Sequence, residues 1–338
     1  MDKKRIYFII ILIGTLYFAL RMISGEMDNN INIISEYQNS DYNESHFISF
    51  SNARQKQKLL FIPEAGVAEQ DSFVKNNNIE NPRIFYHGHF LKHGTLEIDK
   101  NIFKTTINYM IPNRNDSGYA IIDFEGEEYY NIAVLENISE YKYLRALNNF
   151  VKVYSDLLDF AKTQRPYVKW SFFDIPPVKI PIANTSYEKY MVNLYPLFRK
   201  VDFFAPSLYL IKSPSEESGR YRTTDFIISN IAYNIKLGYT FKKEVYPFIW
   251  HRYPPVSKIY NDTIPVNIFY NYINSILNTS YNNRKVNGII WWQSESYSFQ
   301  HRLQVKSIIN EYKNIKNPQK YQVNTLQKYY SILNDFFK

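Results

Sequence analysis

Short apolar runs alternate with longer segments of helical periodicity along most of this chain. The apolar runs have the length of strands, and they predict strands at 59–62, 83–86, 119–124, 168–173, 201–209, 245–250 and 288–292. Between and after these runs, apolar residues recur at the spacing of one helix face. That spacing predicts helices at 97–110, 141–164, 186–199, 221–237, 264–279, 299–315 and 322–337. Strands and helices that alternate in one series predict an α/β fold with a parallel sheet, either closed into a barrel or open and doubly wound.

The ends of the predicted strands favour the barrel. Polar and aromatic residues recur where these strands end, which is the face on which a (β/α) barrel carries its active site. We therefore predict an irregular TIM-like (β/α) barrel, with about seven parallel strands and outer helices. Because the chain has 338 residues and no long linker rich in Gly, Pro or Ser, residues 57–338 are predicted to form a single catalytic-type domain.

The N-terminal segment differs from the rest of the chain. Basic residues precede an apolar run over residues 6–20, as in a signal peptide. We predict a signal peptide or N-terminal membrane anchor within residues 1–25, followed by a polar lead-in segment at 26–56. Both readings predict a secreted or extracytoplasmic protein, in which residues 6–24 make any membrane contact. The alternative is an N-terminal helix that belongs to the core.

The charge and composition of the chain limit the classes of ligand and cofactor that it is predicted to bind. The net charge of +8 is scattered along the chain and accompanies no nucleic-acid-binding motif, so no nucleic-acid partner is predicted. The absence of cysteine excludes disulfides and thiolate metal sites. Three of the six histidines lie in segment 85–94, but no HExxH spacing occurs, so we predict no metal or cofactor and read this segment as a loop beside the site. The 31 Tyr and 24 Phe suit a sugar-binding groove, although the overall composition bias explains them equally well.

Two carboxylates at one predicted strand end are the strongest chemical signal. Asp123 and Glu125 are two residues apart, so they project from the same side of the strand at 119–124. Because two like charges at close range are costly, one carboxyl should hold a proton near neutral pH, as a general acid requires. A solvated strand end with helix-capping acids is the alternative interpretation.

Further candidate residues lie at other strand ends. They are aromatic residues that suit the wall or floor of a sugar groove, together with one acid that suits a sugar hydroxyl. These candidates are Tyr86, Trp170, Phe173, Asp174, Tyr209 and Trp292. For the aromatic residues, plain core packing is the alternative.

Four of these segments, in this order, resemble motifs of the hyaluronidase family of glycoside hydrolases. The family carries Asp-Trp-Glu, Trp-Gly-Tyr/Phe-Tyr, Pro-Ser-Ile-Tyr and Gly-Val-Val-Leu-Trp segments. This chain has Asp-Phe-Glu at 123–125, Trp-Ser-Phe-Phe at 170–173, Pro-Ser-Leu-Tyr at 206–209 and Gly-Ile-Ile-Trp-Trp at 288–292. The resemblance covers about residues 84–309.

The resemblance implies a mechanism as well as a fold. It implies an irregular β/α barrel that cleaves a polysaccharide next to N-acetylhexosamine, with retention and with the substrate's acetamido group as nucleophile. Glu125 matches the proton donor, and Asp123 matches the residue that orients the acetamido group. Tyr209 matches the tyrosine that hydrogen-bonds this group, and Trp292 matches the tryptophan that packs at the same subsite.

Two departures from the family pattern keep a second function open. Phe173 stands where the family has a second site tyrosine, and Glu127 and Glu128 replace a Trp-Arg pair. The first removes a polar contact to the reacting sugar, and the second adds negative charge beside a site that binds a polyanion in the family. The leading hypothesis is an endo-glycosidase; the alternatives are a carbohydrate-binding barrel with weakened or lost catalysis, and a secreted scaffold.

Overall fold

The computed structural model describes residues 56–64, 67–93, 95, 97–125, 140–178, 191–211, 217–254, 262–293, 311, 313 and 315–338. The strands are β1 (Lys58–Ile62), β2 (Arg83–Phe85), β3 (Gly118–Ile122), β4 (Val168–Phe172), β5 (Phe203–Phe204), β6 (Glu244–Val245), β7 (Phe248–Ile249) and β8 (Gly288–Trp292). The α-helices are α1 (Ala68–Asn76), α2 (Lys100–Met110), α3 (Glu140–Gln164), α4 (Tyr195–Lys200), α5 (Glu217–Phe241), α6 (Val266–Asn278) and α7 (Pro318–Phe337). Short 3₁₀ turns lie at His87–His89 and Val192–Leu194.

In the described part of the chain, all paired strands are parallel, and they form three small sheets. Their orders are β1-β8-β7, β2-β3-β4 and β5-β6. Isolated bridges connect the sheets at Leu60–Glu80, Ile175–Ala205 and Ser207–Phe248. The predicted alternation of parallel strands and helices is therefore confirmed. Within the described residues, however, the three sheets do not form one closed barrel.

Proline explains part of this irregularity. The predicted strand at 201–209 is reduced to β5 because Pro206 follows it, and Pro247 divides the predicted strand at 245–250 into β6 and β7. Proline lacks the N–H that a continuous ladder requires. The proline carbonyls still accept bonds, since Phe248 N donates to Pro206 O and Ile290 N donates to Pro247 O, both at 2.8–2.9 Å.

The helix predictions agree with the described residues except at a few places. Helix α1 was not predicted, because only Phe73 among its apolar residues is buried and its periodicity is weak. Of the predicted helix at 299–315, only residues 311, 313 and 315 lie within the described part, and the N-terminal segment lies outside it. Among the described helices, none is long and apolar enough to cross a membrane.

The strands separate two apolar clusters. Along β3, Ala120 and Ile122 pack with the helices, whereas Tyr119 and Ile121 belong to a smaller interior cluster between the sheets. Three half-buried aromatic residues pack against one end of this interior cluster. They are Phe173, Tyr209 and Trp292, all at or just beyond the carboxyl ends of strands. The fold therefore places these aromatic candidates together at the end of the interior cluster near the carboxyl ends of the strands, which we call the mouth of the interior.

Glycine allows the strand that carries Trp292 to lie close to its neighbour. Gly288 pairs with Lys58 at the start of β1 and β8. A Cβ atom at position 288 would lie 1.9 Å from the Lys58 carbonyl oxygen, so no other residue fits without a backbone shift. This close approach fixes the β1–β8 register that positions Trp292.

Candidate active site

The acid pair lies at the carboxyl end of β3, where hydrogen bonds on both sides hold the backbone. Asp123 N donates to Phe85 O at 2.9 Å, and Phe173 N donates to Ile122 O at 3.0 Å. Between the two acids, Phe124 is buried against the helices, whereas Asp123 and Glu125 are half-buried. The alternation predicted from the sequence therefore turns both carboxyl groups towards the mouth of the interior.

The environment of the two acids favours their protonated forms. Burial raises the pKa of Asp123 well above its usual range, and the negative charges of Glu125 and Asp174 raise it further. Burial also raises the pKa of Glu125 to about 7. Both residues retain some exposure to solvent, so they are not sealed in the core. A proton held here near neutral pH is available for transfer to a ligand.

Aromatic side chains form a wall beside the acids. The rings of Tyr209 and Trp292 are stacked, with centroids 5.9 Å apart and planes 28° apart. Phe173 lies 6.1 Å from Tyr209, and Trp250 packs edge-on against Trp292 at 5.1 Å. Trp292 Nε1 donates to the Tyr86 hydroxyl at 3.0 Å. Flat aromatic faces of this kind suit the apolar face of a sugar ring.

The two tyrosines of this wall are neutral and close to the acids. Burial raises the pKa of Tyr209 well above its usual range, and the charge of Asp123 is the next cause, followed by Tyr86, Tyr272 and Glu125. Burial likewise raises the pKa of Tyr86, although the bond from Trp292 opposes the shift. Within the described residues, no hydrogen bond contributes to the pKa of the Tyr209 hydroxyl, and none is formed by it. It is therefore available to donate to a ligand.

Asp174 supports the segment that carries Tyr209. It is buried, has a left-handed backbone conformation with φ of 54°, and its Oδ1 accepts from Ser207 N at 2.9 Å. Asp174 N donates to Ala205 O at 2.9 Å. These contacts connect the end of β4 to the Pro206–Tyr209 segment. The structure thus gives Asp174 a backbone partner and brings it near Asp123, whose pKa its charge raises.

Trp170 is the one predicted site residue that the structure removes from the mouth. Its side chain is fully buried on the helix side of β4, where it packs 5.4 Å from Phe85 and donates through Nε1 to Arg165 O at 3.2 Å. The predicted contact between Trp170 and substrate is therefore corrected to core packing. Alternation along the strand explains the difference, because Trp170 and Phe173 point to opposite faces.

Two histidines contact the site although the sequence did not single them out. His87 Nε2 accepts from Glu125 N at 2.9 Å, and His89 Nδ1 accepts from Tyr86 N at 3.1 Å. Segment 85–94 was predicted to line the groove, but only Tyr86 was selected in it. The only available signal was the pair of histidines placed directly after a strand end.

Other parts of the described structure provide no competing centre. No group of three or more His, Asp or Glu residues among the described residues could hold a metal ion. An open surface groove of ≈ 540 Å³ lies between α1 and α7 and is lined by residues such as Glu69, Asn76 and Lys320. It carries no paired acids, so the mouth beside β3 remains the candidate site.

Comparisons with known proteins support the fold. No protein-family model and no curated protein matches this sequence. Among solved structures, bee venom hyaluronidase matches with a TM-score of 0.52 at 14% identity, over 73% of this chain and 96% of that enzyme. The same enzyme in complex with a hyaluronic acid tetramer matches with a TM-score of 0.52 at 15% identity, over 79% of this chain and 98% of the other. At this identity the comparison shows a remote structural relationship, and the chain is similar in fold to a glycoside hydrolase.

Proposed function

We propose that this protein is a hyaluronidase-like endo-glycosidase that hydrolyses a polysaccharide containing N-acetylhexosamine. The observation that carries the proposal is the shared position of Asp123 and Glu125, both with raised pKa values, beside the stacked rings of Tyr209 and Trp292. The remote structural similarity to bee venom hyaluronidase supports the same class of reaction.

Glu125 and Asp123 have different roles in the proposed substrate-assisted catalysis. In the first step, the substrate's own acetamido oxygen attacks the anomeric carbon and the bond from that carbon to the glycosidic oxygen breaks, while Glu125 donates its proton to the departing oxygen. The products are an alcohol and a cyclic intermediate. Asp123 orients the acetamido N–H, and its raised pKa limits the negative charge that accumulates in the cleft. In the second step, Glu125 takes a proton from the water that opens the cyclic intermediate. Two displacements at the same carbon give retention of configuration.

The wall residues position the reacting sugar. Trp292 and Tyr209 offer a stacked aromatic surface for the apolar face of the ring. The Tyr209 hydroxyl, which has no partner within the described residues, donates to the acetamido oxygen. The bond from Trp292 Nε1 uses one lone pair of the Tyr86 oxygen and leaves the proton of that phenol for a substrate hydroxyl.

Phe173 favours a second candidate function, a carbohydrate-binding barrel with weakened catalysis. Its half-buried ring lies 4.9 Å from Phe248 and 6.1 Å from Tyr209, so an apolar surface faces the reacting sugar at this point. Loss of one polar contact in the transition state costs on the order of 10²-fold in rate. Binding through the aromatic wall would persist in such a protein.

We further propose that the protein acts outside the cytoplasm. The support is the basic and apolar sequence within residues 1–25, which lies outside the described residues. Residues 26–56 then connect this leader to a single domain at 57–338. A polysaccharide substrate is consistent with an extracytoplasmic location.

A panel of glycans tests the proposal. The protein is incubated with hyaluronan, chondroitin and chitin oligosaccharides, and new reducing ends are measured. We expect cleavage of at least one of them and a loss on the order of 10²–10⁴-fold in Glu125→Gln, which removes the proton donor. No new reducing ends from any glycan, with Glu125→Gln identical to the wild type, would reject the hydrolase. Binding without turnover that survives Glu125→Gln and disappears in Trp292→Ala would establish the binding barrel instead.

A further inference from the structure

A short 3₁₀ turn directly after β2 bonds to the backbone of two site residues. The turn spans His87–His89 and follows Tyr86. His87 Nε2 accepts from the backbone N–H of Glu125 at 2.9 Å, and His89 Nδ1 accepts from the backbone N–H of Tyr86 at 3.1 Å. His89 N in return donates to Tyr86 O at 2.8 Å. The turn thus holds the ends of β2 and β3 together at the mouth.

These contacts determine where the imidazole protons lie. A backbone N–H can only donate, so the ring nitrogen that faces it must be unprotonated. His87 therefore carries its single proton on Nδ1, whereas His89 carries its proton on Nε2. Both rings are neutral, and they use opposite nitrogens as acceptors.

The surroundings of both rings favour the neutral form. The His87 ring lies 6.2 Å from Phe90 and 5.9 Å from Phe124, and the His89 ring lies 6.2 Å from Phe85. Burial lowers the pKa of each histidine. Among the described residues, the titratable groups near the turn include Glu125 beyond β3, Tyr86 at the start of the turn, and Tyr154 of α3, whose hydroxyl donates to Phe124 O. The charges of Asp123 and Glu64 also act on Tyr86.

We propose that His87 and His89 are positioning residues, which hold Glu125 and Tyr86 in working geometry only while both imidazoles are unprotonated. The assignment of roles to Glu125 and Tyr86 rests on the proposed function, whereas the protonation states rest on the hydrogen bonds alone. Protonation of His87 places an N–H against the N–H of Glu125 and so releases the segment that carries the proton donor. Protonation of His89 on Nδ1 releases Tyr86 in the same way.

The proposal gives the site two opposing pH requirements. Glu125 must retain its proton to act as an acid, which sets a limit on the alkaline side. The two histidines must remain neutral to accept, which sets a limit on the acid side. Activity is therefore confined between the two limits, and substitution of the histidines should move only the acid limit.

Asparagine and glutamine provide matched substitutions. The Oε1 atom of Gln occupies roughly the place of a histidine Nε2, and the Oδ1 atom of Asn that of Nδ1. His87→Gln and His89→Asn therefore retain the accepting atom but cannot titrate, whereas His87→Asn and His89→Gln place the acceptor wrongly. The exposed His93, further along the chain, provides His93→Gln as a control.

The first measurement is independent of activity. The full chain is labelled with ¹⁵N-histidine and on the backbone amides, and the imidazole tautomers and amide exchange rates are measured from pH 4 to 8, a range set by the ordinary histidine pKa of 6.5. We expect an Nδ1–H tautomer for His87, an Nε2–H tautomer for His89, and faster exchange of the Glu125 and Tyr86 amides as the rings protonate. A doubly protonated ring at neutral pH, or a proton on either bonded nitrogen, would overturn the proposal even if the protein hydrolyses glycans.

The second measurement is the pH profile of glycan turnover, or of glycan binding if no turnover occurs. We expect His87→Gln to keep near-wild-type activity at neutral pH and to lose the acid limb, and His87→Asn to lose about 5- to 10-fold at all pH values. His89→Asn and His89→Gln should show the same pattern with a smaller change. Equal behaviour of the Gln and Asn variants at either position, or an acid limb that moves in His93→Gln, would overturn the proposal.

Discussion

The two ends of the interior cluster contain the same kinds of side chain in opposite electrostatic settings. At the amino ends of the strands, the hydroxyls of Tyr119 and Tyr246 lie 3.1 Å apart, and Glu244 lies 3.4 Å from Tyr119. Lys169 Nζ contacts Glu244 Oε2 at 2.6 Å and lies 5.2 Å from the centre of the Tyr119 ring, and Lys58 lies 5.5 Å from that ring. We call this end of the interior cluster the floor. Its acid, Glu244, and its tyrosines, Tyr119 and Tyr246, all have partners.

The mouth at the carboxyl ends lacks this compensation. Among the ion pairs formed by the described residues, none includes Asp123 or Glu125. The charges that act on Asp123 are other acids, and its pKa is raised. Carboxyl groups that are enclosed and left without cations cost stability, and such sites are where function is expected. The comparison indicates that the floor stabilises the fold, and the proposed function assigns the chemistry to the mouth.

The largest test of this comparison exchanges one glutamate at each end. Glu125→Gln should lower glycan turnover on the order of 10²–10⁴-fold, because it removes the proposed proton donor. Glu244→Gln is the matched control, since it makes the same chemical change at the floor. Initial rates of reducing-end release check both variants. A loss of rate in Glu244→Gln as large as that in Glu125→Gln would contradict the separation of roles.

A hydroxyl added at the mouth should have the next largest effect. Phe173→Tyr restores a polar group beside Tyr209, whose ring lies 6.1 Å away. We expect turnover to rise about 10-fold, since one polar contact to the reacting sugar is worth at least that much. Tyr119→Phe removes a hydroxyl at the floor, at the opposite end of the strands from the proposed site, and serves as the control for general effects on folding. An unchanged rate in Phe173→Tyr would mean that this position does not contact the transition state.

The features that could be predicted from the sequence are those that depend on residues close together in the chain. Strand β8 was predicted with its observed bounds. The two-residue spacing of Asp123 and Glu125 predicted that they lie close together, and the charge of Glu125 does raise the pKa of Asp123. The alternation of parallel strands and helices, though not the closed barrel, could be predicted because apolar runs and helical spacing survive in the sequence even where β5 is only two residues long.

Contacts between distant segments could not be predicted in the same way. The bond from Glu125 N to His87 Nε2 joins two strand ends, and it depends on the conformation of a 3₁₀ turn rather than on spacing. Trp170 was assigned to the groove from its residue type, although its place on β4 sends it towards the helices. The division of the strands into three sheets also depends on contacts between distant segments, which a local sequence pattern does not contain.

The pH dependence of stability should distinguish the two kinds of titrating group at the mouth. The pKa of Glu125 is raised from 4.5 to about 7, so folding favours its protonated form. The contribution of Glu125 to the free energy of unfolding is therefore fully present below pH 4.5 and is lost as the pH rises towards about 7. The histidine pKa values are lowered from 6.5, so the neutral rings contribute stability that is lost as the pH falls below 6.5. Denaturant titrations at several pH values measure both trends. Glu125→Gln should increase the free energy of unfolding at pH 8 on the order of 1 kcal/mol, and a decrease there would contradict the raised pKa.

The smallest expected effect concerns the ion pair at the floor. Lys169→Met removes the partner of Glu244 but retains a long apolar stem over Tyr119. The Lys169 and Glu244 side chains are 48% and 34% exposed, so solvent screens the pair and its loss should cost about 0.5 kcal/mol. Glycan turnover should not change, because the pair lies at the opposite ends of the strands from Glu125. Denaturant unfolding and initial rates, measured on the same preparation, check the two expectations. If turnover fell while stability was retained, the floor would be electrostatically coupled to the mouth, and the two ends of the interior could not be treated as separate regions.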